Sequence, residues 1–195
     1  MSETYKFGQV LSANSLSEEL DMSRTPVLEA FKLLESEGIV GVVPQVGVMV
    51  RPLDPDRVFG IFTLRAILEG YVASEAAKTA SFEAGNQAVK LIEEMEQCVY
   101  KEDVDGYAEL NIKFHQLLVE MIDNRYLKDM ITQLWDLSHY FTAKRFIFTE
   151  DLQQSLKEHR DCIDAIAAGD PEKARSIMEQ HNYRLREKIL RLLNN

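Results

Sequence analysis

Residues 23–50 read SRTPVLEAFKLLESEGIVGVVPQVGVMV, and the pattern changes character at Gly38. Before it, Val27, Ala30, Phe31 and Leu34 recur at i, i+3, i+4 and i+7, which predicts a helix with one buried stripe. Ser23 stands at the N-cap position, and Pro26 sits early in the helix, where a missing N–H costs little. Gly38 suits the left-handed residue that ends a helix. After it, Ile39–Val43 and Val48–Val50 flank Pro44-Gln45-Val46-Gly47, and two β-branched runs around such a turn predict a hairpin.

Toward the N-terminus, Ser15 is expected to cap a short helix carrying Leu16 and Leu20, and Asp21-Met22-Ser23 a turn. Helix, tight turn, helix, hairpin is the plan of a winged helix-turn-helix. In that plan the first residues of the second helix face the DNA groove. Arg24 can fork onto a guanine or a phosphate, and Ser23 and Thr25 can donate to phosphate. Gly47 would let the wing backbone approach DNA closely. The same residues also fit a small mixed α/β lobe in which Arg24 is an ordinary surface residue. Charge argues against a purely electrostatic binder. The chain carries a net −10, and residues 1–52 hold four Lys/Arg against seven Asp/Glu.

Toward the C-terminus, composition shifts near residue 54, and the pattern is helical to the end. Helices are predicted at 55–79, 82–102, 105–122, 125–147, 150–168 and 171–193. Their punctuation comes from Asp54-Pro55, Ser81, Gly106, Asn124, Thr149 and Gly169-Asp170-Pro171. Broad apolar stripes, such as Leu127, Met130, Ile131 and Leu134, predict an antiparallel bundle. The fold class expected is therefore mainly α: a winged helix-turn-helix over 1–53 and an all-α bundle over 54–195. No apolar run reaches the roughly 18 residues of a membrane span, and the start has no signal-peptide core. Cys98 and Cys162 lie outside any CxxC, which fits a reducing cytoplasm.

Four histidines remain: His115, His139, His159 and His181. Asn111 and His115 share a helical face at i, i+4. His159 and His181 lie 11 residues either side of Asp170, in the turn between two helices. Residues equidistant from such a turn face each other, here about 15 Å along the hairpin. Two converging imidazoles with an Asn/His pair from a third helix suit a divalent metal; equally, each histidine could be a hydrogen-bonded core residue. His139 falls outside the set. Arg65 sits among apolar residues and needs a carboxylate partner, either a ligand or Glu69 one turn on. Arg145 is a second candidate of this kind, and Trp135 and Tyr140 are wall or core aromatics.

The stretch Leu16–Val40, with its Ser23-Arg24-Thr25-Pro26 string and Leu34-Glu35-Ser36-Glu37-Gly38, resembles the signature of the GntR family of bacterial regulators. The wing Pro44–Val50 is similar to that family's wing, and the helical remainder resembles the effector domain, called FCD, of the FadR subfamily. This resemblance covers essentially the whole chain. It implies a dimeric, cytoplasmic, metabolite-responsive transcription regulator, most often a repressor, that binds operator DNA. It implies DNA contacts at Ser23, Arg24, Thr25 and Gly47. It also implies a divalent ion (zinc, nickel or manganese) at Asn111, His115, His159 and His181, where Asn111 replaces the commoner Asp. A small carboxylate effector would meet Arg65. The chain departs from the family in three places. Leu28 and Asn14 stand where arginines are usual, and only seven residues precede Gly8, so the usual first helix is expected to be missing or truncated. Weak DNA binding is the expectation, and a ligand-binding metalloprotein with lost DNA binding is the alternative. An enzyme is not expected, because the chain has no HExxH and no Glu-x-x-His pair of the ferritin type.

Overall fold

Ser12, not Ser15, starts the first helix. Its backbone is extended, and its hydroxyl accepts from the Ser15 N–H at 3.1 Å, so Ser15 lies inside α1 (Ala13–Glu19). Leu16 is buried there, whereas Leu20, past the last turn, is exposed. The computed structural model describes residues 5–52, 54–79, 82–142 and 149–193, with the side chains at 82, 139–142, 149 and 150 outside that description.

The second helix, α2 (Arg24–Ser36), buries Val27 and Phe31 and half-buries Leu34, while Ala30 faces solvent. It ends as expected at Gly38, which has φ +69°. The Gly38 N–H donates to Glu35 O and the Ile39 N–H to Leu34 O, both at 2.9 Å, closing a Schellman motif. Strands β2 (Val40–Val43) and β3 (Gly47–Val50) then pair antiparallel, Val40 opposite Val50 and Val43 opposite Gly47. A third strand, β1 (Val10–Leu11), was absent from the sequence expectation. It pairs with β3, giving the order β1-β3-β2. Ala13, Leu16, Val27, Phe31, Val40 and Val48 form this unit's core.

The chain divides between Asp54 and Pro55 into two compact units. The second holds α3 (Pro55–Thr79), α4 (Phe82–Tyr100), α5 (Val104–Glu120), α6 (Arg125–Thr142), α7 (Thr149–Ala167) and α8 (Pro171–Leu193). The boundaries follow their caps. Asp103 accepts from Gly106 N at 2.9 Å, Asn124 from Leu127 N at 3.1 Å and Asp170 from Lys173 N at 3.0 Å. Gly169, at φ +65°, reverses the chain between α7 and α8. The expected extension of α6 beyond Thr142 and the expected Ser81 cap lie outside the described residues; Thr149, expected as a cap, is the first residue of α7, and its side chain lies outside the description. Helix α3 packs chiefly on α8, and α7 on α8 and α4. Phe114, Ile92, Met95, Ile131 and Met178 fill a continuous core among them. Among the described residues, no helix is long and apolar enough to cross a membrane.

Candidate functional site

In the first unit, Ser23 caps α2 with its backbone, and its hydroxyl makes no capping bond. Ser23, Arg24 and Thr25 are all exposed at the helix start. Leu28, one turn beyond Arg24, is 40% exposed, and Asn14 is exposed on α1. Gly47 departs from expectation. It opens β3 instead of forming the tip, where Gln45 takes the positive φ of 64°. A Cβ on Gly47 would lie 2.0 Å from the Leu11 carbonyl oxygen. Its structural task is thus to let β1 pass close by.

In the second unit, three histidines from three helices meet. His115 on α5, His159 on α7 and His181 on α8 are buried, and one ring nitrogen from each lies within 4.8 Å of the other two. The ring centroids stand 5.2 Å apart for His115–His159, 5.6 Å for His115–His181 and 4.9 Å for His159–His181. Placement symmetric about Asp170 thus does bring His159 and His181 together. Asn111 lies one turn before His115 on α5 and is half-buried. The side chains of His139 and Tyr140, and all of Arg145, lie outside the described residues.

Carboxylates back two of the three rings. His181 Nδ1 is 2.7 Å from Glu158 Oε2. Arg184 grips the same Glu158 with Nε and Nη2, both at 2.7 Å, and also donates to Ser155 at 2.8 Å. On the opposite side His115 Nδ1 is 2.9 Å from Glu69 Oε2, in contact but off the line of a well-formed hydrogen bond. Arg65 Nε donates to Glu69 Oε1 at 2.8 Å, Trp135 Nε1 donates to the same oxygen at 3.1 Å, and Arg65 Nη1 reaches Ser138 at 2.9 Å. Arg65 does face the bundle interior; the partner it meets is Glu69, and Trp135 is a core residue with a polar task.

Electrostatics set the protonation states. Burial alone would raise the Glu69 carboxyl, but Arg65 and then His115 outweigh it and hold it well below the usual range. Burial would likewise raise Glu158, yet its hydrogen bonds with His181 and Arg184 hold it at about 2. Burial, then His181 and His115, push the His159 imidazole well below its ordinary value. Burial also lowers His181, against the opposing pull of Glu158.

The donor set fits a metal ion. Both ring nitrogens of His159 and Nε2 of His115 are buried with no hydrogen-bond partner among the described residues. Each unpaired buried polar group costs about 1–3 kcal/mol, a cost that an ion in the centre would offset. Two imidazole nitrogens on one tetrahedral zinc ion, each about 2.0–2.1 Å from it, lie about 3.3 Å apart. The ring nitrogens lie within 4.8 Å of one another, so binding would draw the trio inward by up to about 1.5 Å.

Sequence reasoning found the three histidines and missed their partners. Glu158 is adjacent to His159 on α7, where neighbouring residues point about 100° apart. The signal was present: Glu158 and Arg184 are centred on residue 171, and Glu158 and His181 on 169.5, the same turn that pairs the histidines. The turn symmetry applied to His159 and His181 would have found both.

Comparison with known proteins bears on both units. Residues 60–184 match the FCD domain, and residues 1–50 match the bacterial regulatory proteins of the gntR family. The HTH-type transcriptional regulator YdhC of Bacillus subtilis is 28% identical over 91% of this chain and 80% of its own length. The gluconate operon transcriptional repressor of the same organism is 27% identical over 84% of this chain and 69% of its own. The solved structure of E. coli McbR/YncC superposes with a TM-score of 0.77 at 25% identity, covering 97% of this chain and 90% of that one. The chain belongs to the GntR family of bacterial transcriptional regulators, as a member whose helical part is an FCD domain, and the family is one of regulators, not of enzymes.

Proposed function

We propose that the protein is a metabolite-responsive repressor. Residues 1–53 bind operator DNA as a winged helix-turn-helix, and residues 54–195 sense a small carboxylate through a divalent ion. The observation that carries this reading is the buried His115, His159 and His181 cluster, whose unpaired nitrogens converge. Asn111, one turn before His115, would add a neutral oxygen ligand from α5. Bound there, a zinc, nickel or manganese ion would act as a Lewis acid with positions left for a ligand.

Charge supports an anionic effector. The two carboxylates behind the histidines are each paired with an arginine, and His159 is neutral. A divalent ion would bring positive charge that this surround does not offset, and a carboxylate ligand would offset it. Arg65 and Arg145 are the side chains proposed to meet that carboxylate. A relative named for the gluconate operon is consistent with this class, since gluconate is a small carboxylate. The protein acts as a cytoplasmic homodimer, each copy placing one α2 in a half-site.

On DNA, Arg24, Thr25 and Ser23 are exposed where the groove would lie. Gly47 shapes the wing through its packing on β1. A second reading, a metal-dependent ligand binder that no longer holds DNA, is favoured by one observation: leucine, not a cation, occupies the exposed position 28. Fluorescence anisotropy against upstream DNA of its own operon, at low salt, separates the two. Binding that weakens with salt and is reduced by a sugar acid in the presence of zinc is the expected result. Equal DNA affinity with and without every carboxylate tried, at saturating zinc, would sink the regulatory reading.

A further inference from the structure

Around the histidine cluster the same arrangement occurs twice. An arginine grips a glutamate, and the glutamate faces Nδ1 of a buried histidine. Arg65, Glu69 and His115 make one such chain; Arg184, Glu158 and His181 make the other. His159 has no such partner. Its ring lies against Phe114, with centroids 4.3 Å apart and planes tilted by 30°, and packing holds it instead.

From this we infer that Glu69 and Glu158 are positioning residues: they fix His115 and His181 with the proton on Nδ1 and the lone pair on Nε2, so that both rings offer Nε2 to a metal ion. The inference rests on the metal reading given above. A neutral imidazole carries one N–H and one lone pair, and which nitrogen carries the proton is set by what the other parts of the site accept. An ionised carboxylate can only accept, so the nitrogen facing it is the protonated one. Each arginine keeps its glutamate ionised and fixed. Of the two Nε2 atoms, that of His115 is buried with no other protein partner. Carboxylates behind metal-bound histidines typically change metal affinity by about 10–100-fold.

The two chains differ in what they are anchored to. Glu69 also accepts from Trp135, and Arg65 from the same chain reaches Ser138, so this chain ties α3 and α6 to a ligand on α5. Glu158 and Arg184 lie on the α7–α8 hairpin itself, with Gln154 and Ser155 completing the shell. Helix α3 carries no histidine of the cluster. Glu69 brings a polar contact from this helix to the cluster.

The test uses the full chain and zinc alone, titrated against a competing chelator. Glu158→Gln and Glu69→Gln keep the shape and remove the charge. Each is expected to weaken zinc binding about 10–100-fold while the metal-free protein keeps its helical circular dichroism. Because the buried Glu69→Gln variant is at risk of misfolding, the wild type supplies an independent reading. In its zinc-bound form, ¹⁵N-histidine spectra should show His115 and His181 protonated on Nδ1 and ligated through Nε2. Zinc binding by folded Glu158→Gln within twofold of wild type, or ligation of either ring through Nδ1, would overturn the assignment. A wild type that takes up neither zinc, nickel nor manganese would overturn the metal reading itself, which is a separate and recognisable failure.

Discussion

His159 is the residue hardest to justify without an ion. It is fully buried, both its ring nitrogens lack partners, and burial with two neighbouring imidazoles disfavours its protonated form. His181 is shifted the same way. In the unfolded chain both titrate near the ordinary histidine value of about 6.5. Below that pH the unfolded chain takes up protons that the folded protein refuses, so stability rises with pH across this range. The metal-free protein should therefore have a lower Tm at pH 5.5 than at pH 7.5, and His159→Phe should flatten the difference. An equal Tm at both pH values would contradict the burial of two unprotonated imidazoles. A second loss is expected further down, from the ordinary glutamate value of 4.5 toward about 2, as Glu158 takes up its proton. His159 and His181 were legible because their spacing about Asp170 brings them together, and His115 joined them through the family resemblance. Their glutamates were not, because a helix-by-helix reading does not ask which residues a hairpin juxtaposes across its own turn.

Helix α2 and the sheet show where element-level reading succeeds and where it stops. Helix ends were legible at Gly38, Asn124 and Asp170, but not at Ser12 or Asp103, whose side chains cap α1 and α5. Strand β1 was not, since two residues contain no period. Ser12 was passed over for Ser15 because both are serines near a helix start, and only the hydrogen bond to Ser15 N separates them. The missing strand also explains Gly47, whose α-hydrogen faces the Leu11 carbonyl. Gly47→Ala should destabilise the N-terminal unit by about 1–3 kcal/mol, read as an earlier loss of its thermal transition. On α2, Leu28 projects from the helix one turn after Arg24 and is 40% exposed. Leu28→Arg should strengthen DNA binding and steepen the logarithmic salt dependence by about one phosphate contact. A slope unchanged by this substitution would mean that this face of α2 does not lie along the DNA.

Over the whole molecule, the two units have separate cores and unequal means. The N-terminal unit has a small core cluster around Leu16, Val27, Phe31 and Val40, whereas the helical unit has a continuous core spanning its helices. Small domains bury a smaller share of their surface and are correspondingly marginal. All three histidines, both glutamates and both clamping arginines lie beyond Pro55, in the helical unit. A ligand stabilises only the unit whose folded form binds it, by about 2.7 kcal/mol at 100 times its Kd. For a unit of this size that corresponds to a shift of about 5–10 °C. Calorimetry should then resolve two transitions, the lower one insensitive to zinc and the upper one raised by it. His159→Ala should abolish the shift of the upper transition and leave the lower one in place. If zinc raised both transitions together in the wild type, the units would be unfolding as one cooperative body. A signal from the centre would then need no separate hinge to reach the DNA-reading helix. If it raises only the upper one, regulation must instead come from an effector that favours one arrangement of the two units over another, since a ligand shifts an equilibrium only by its differential affinity for the two states.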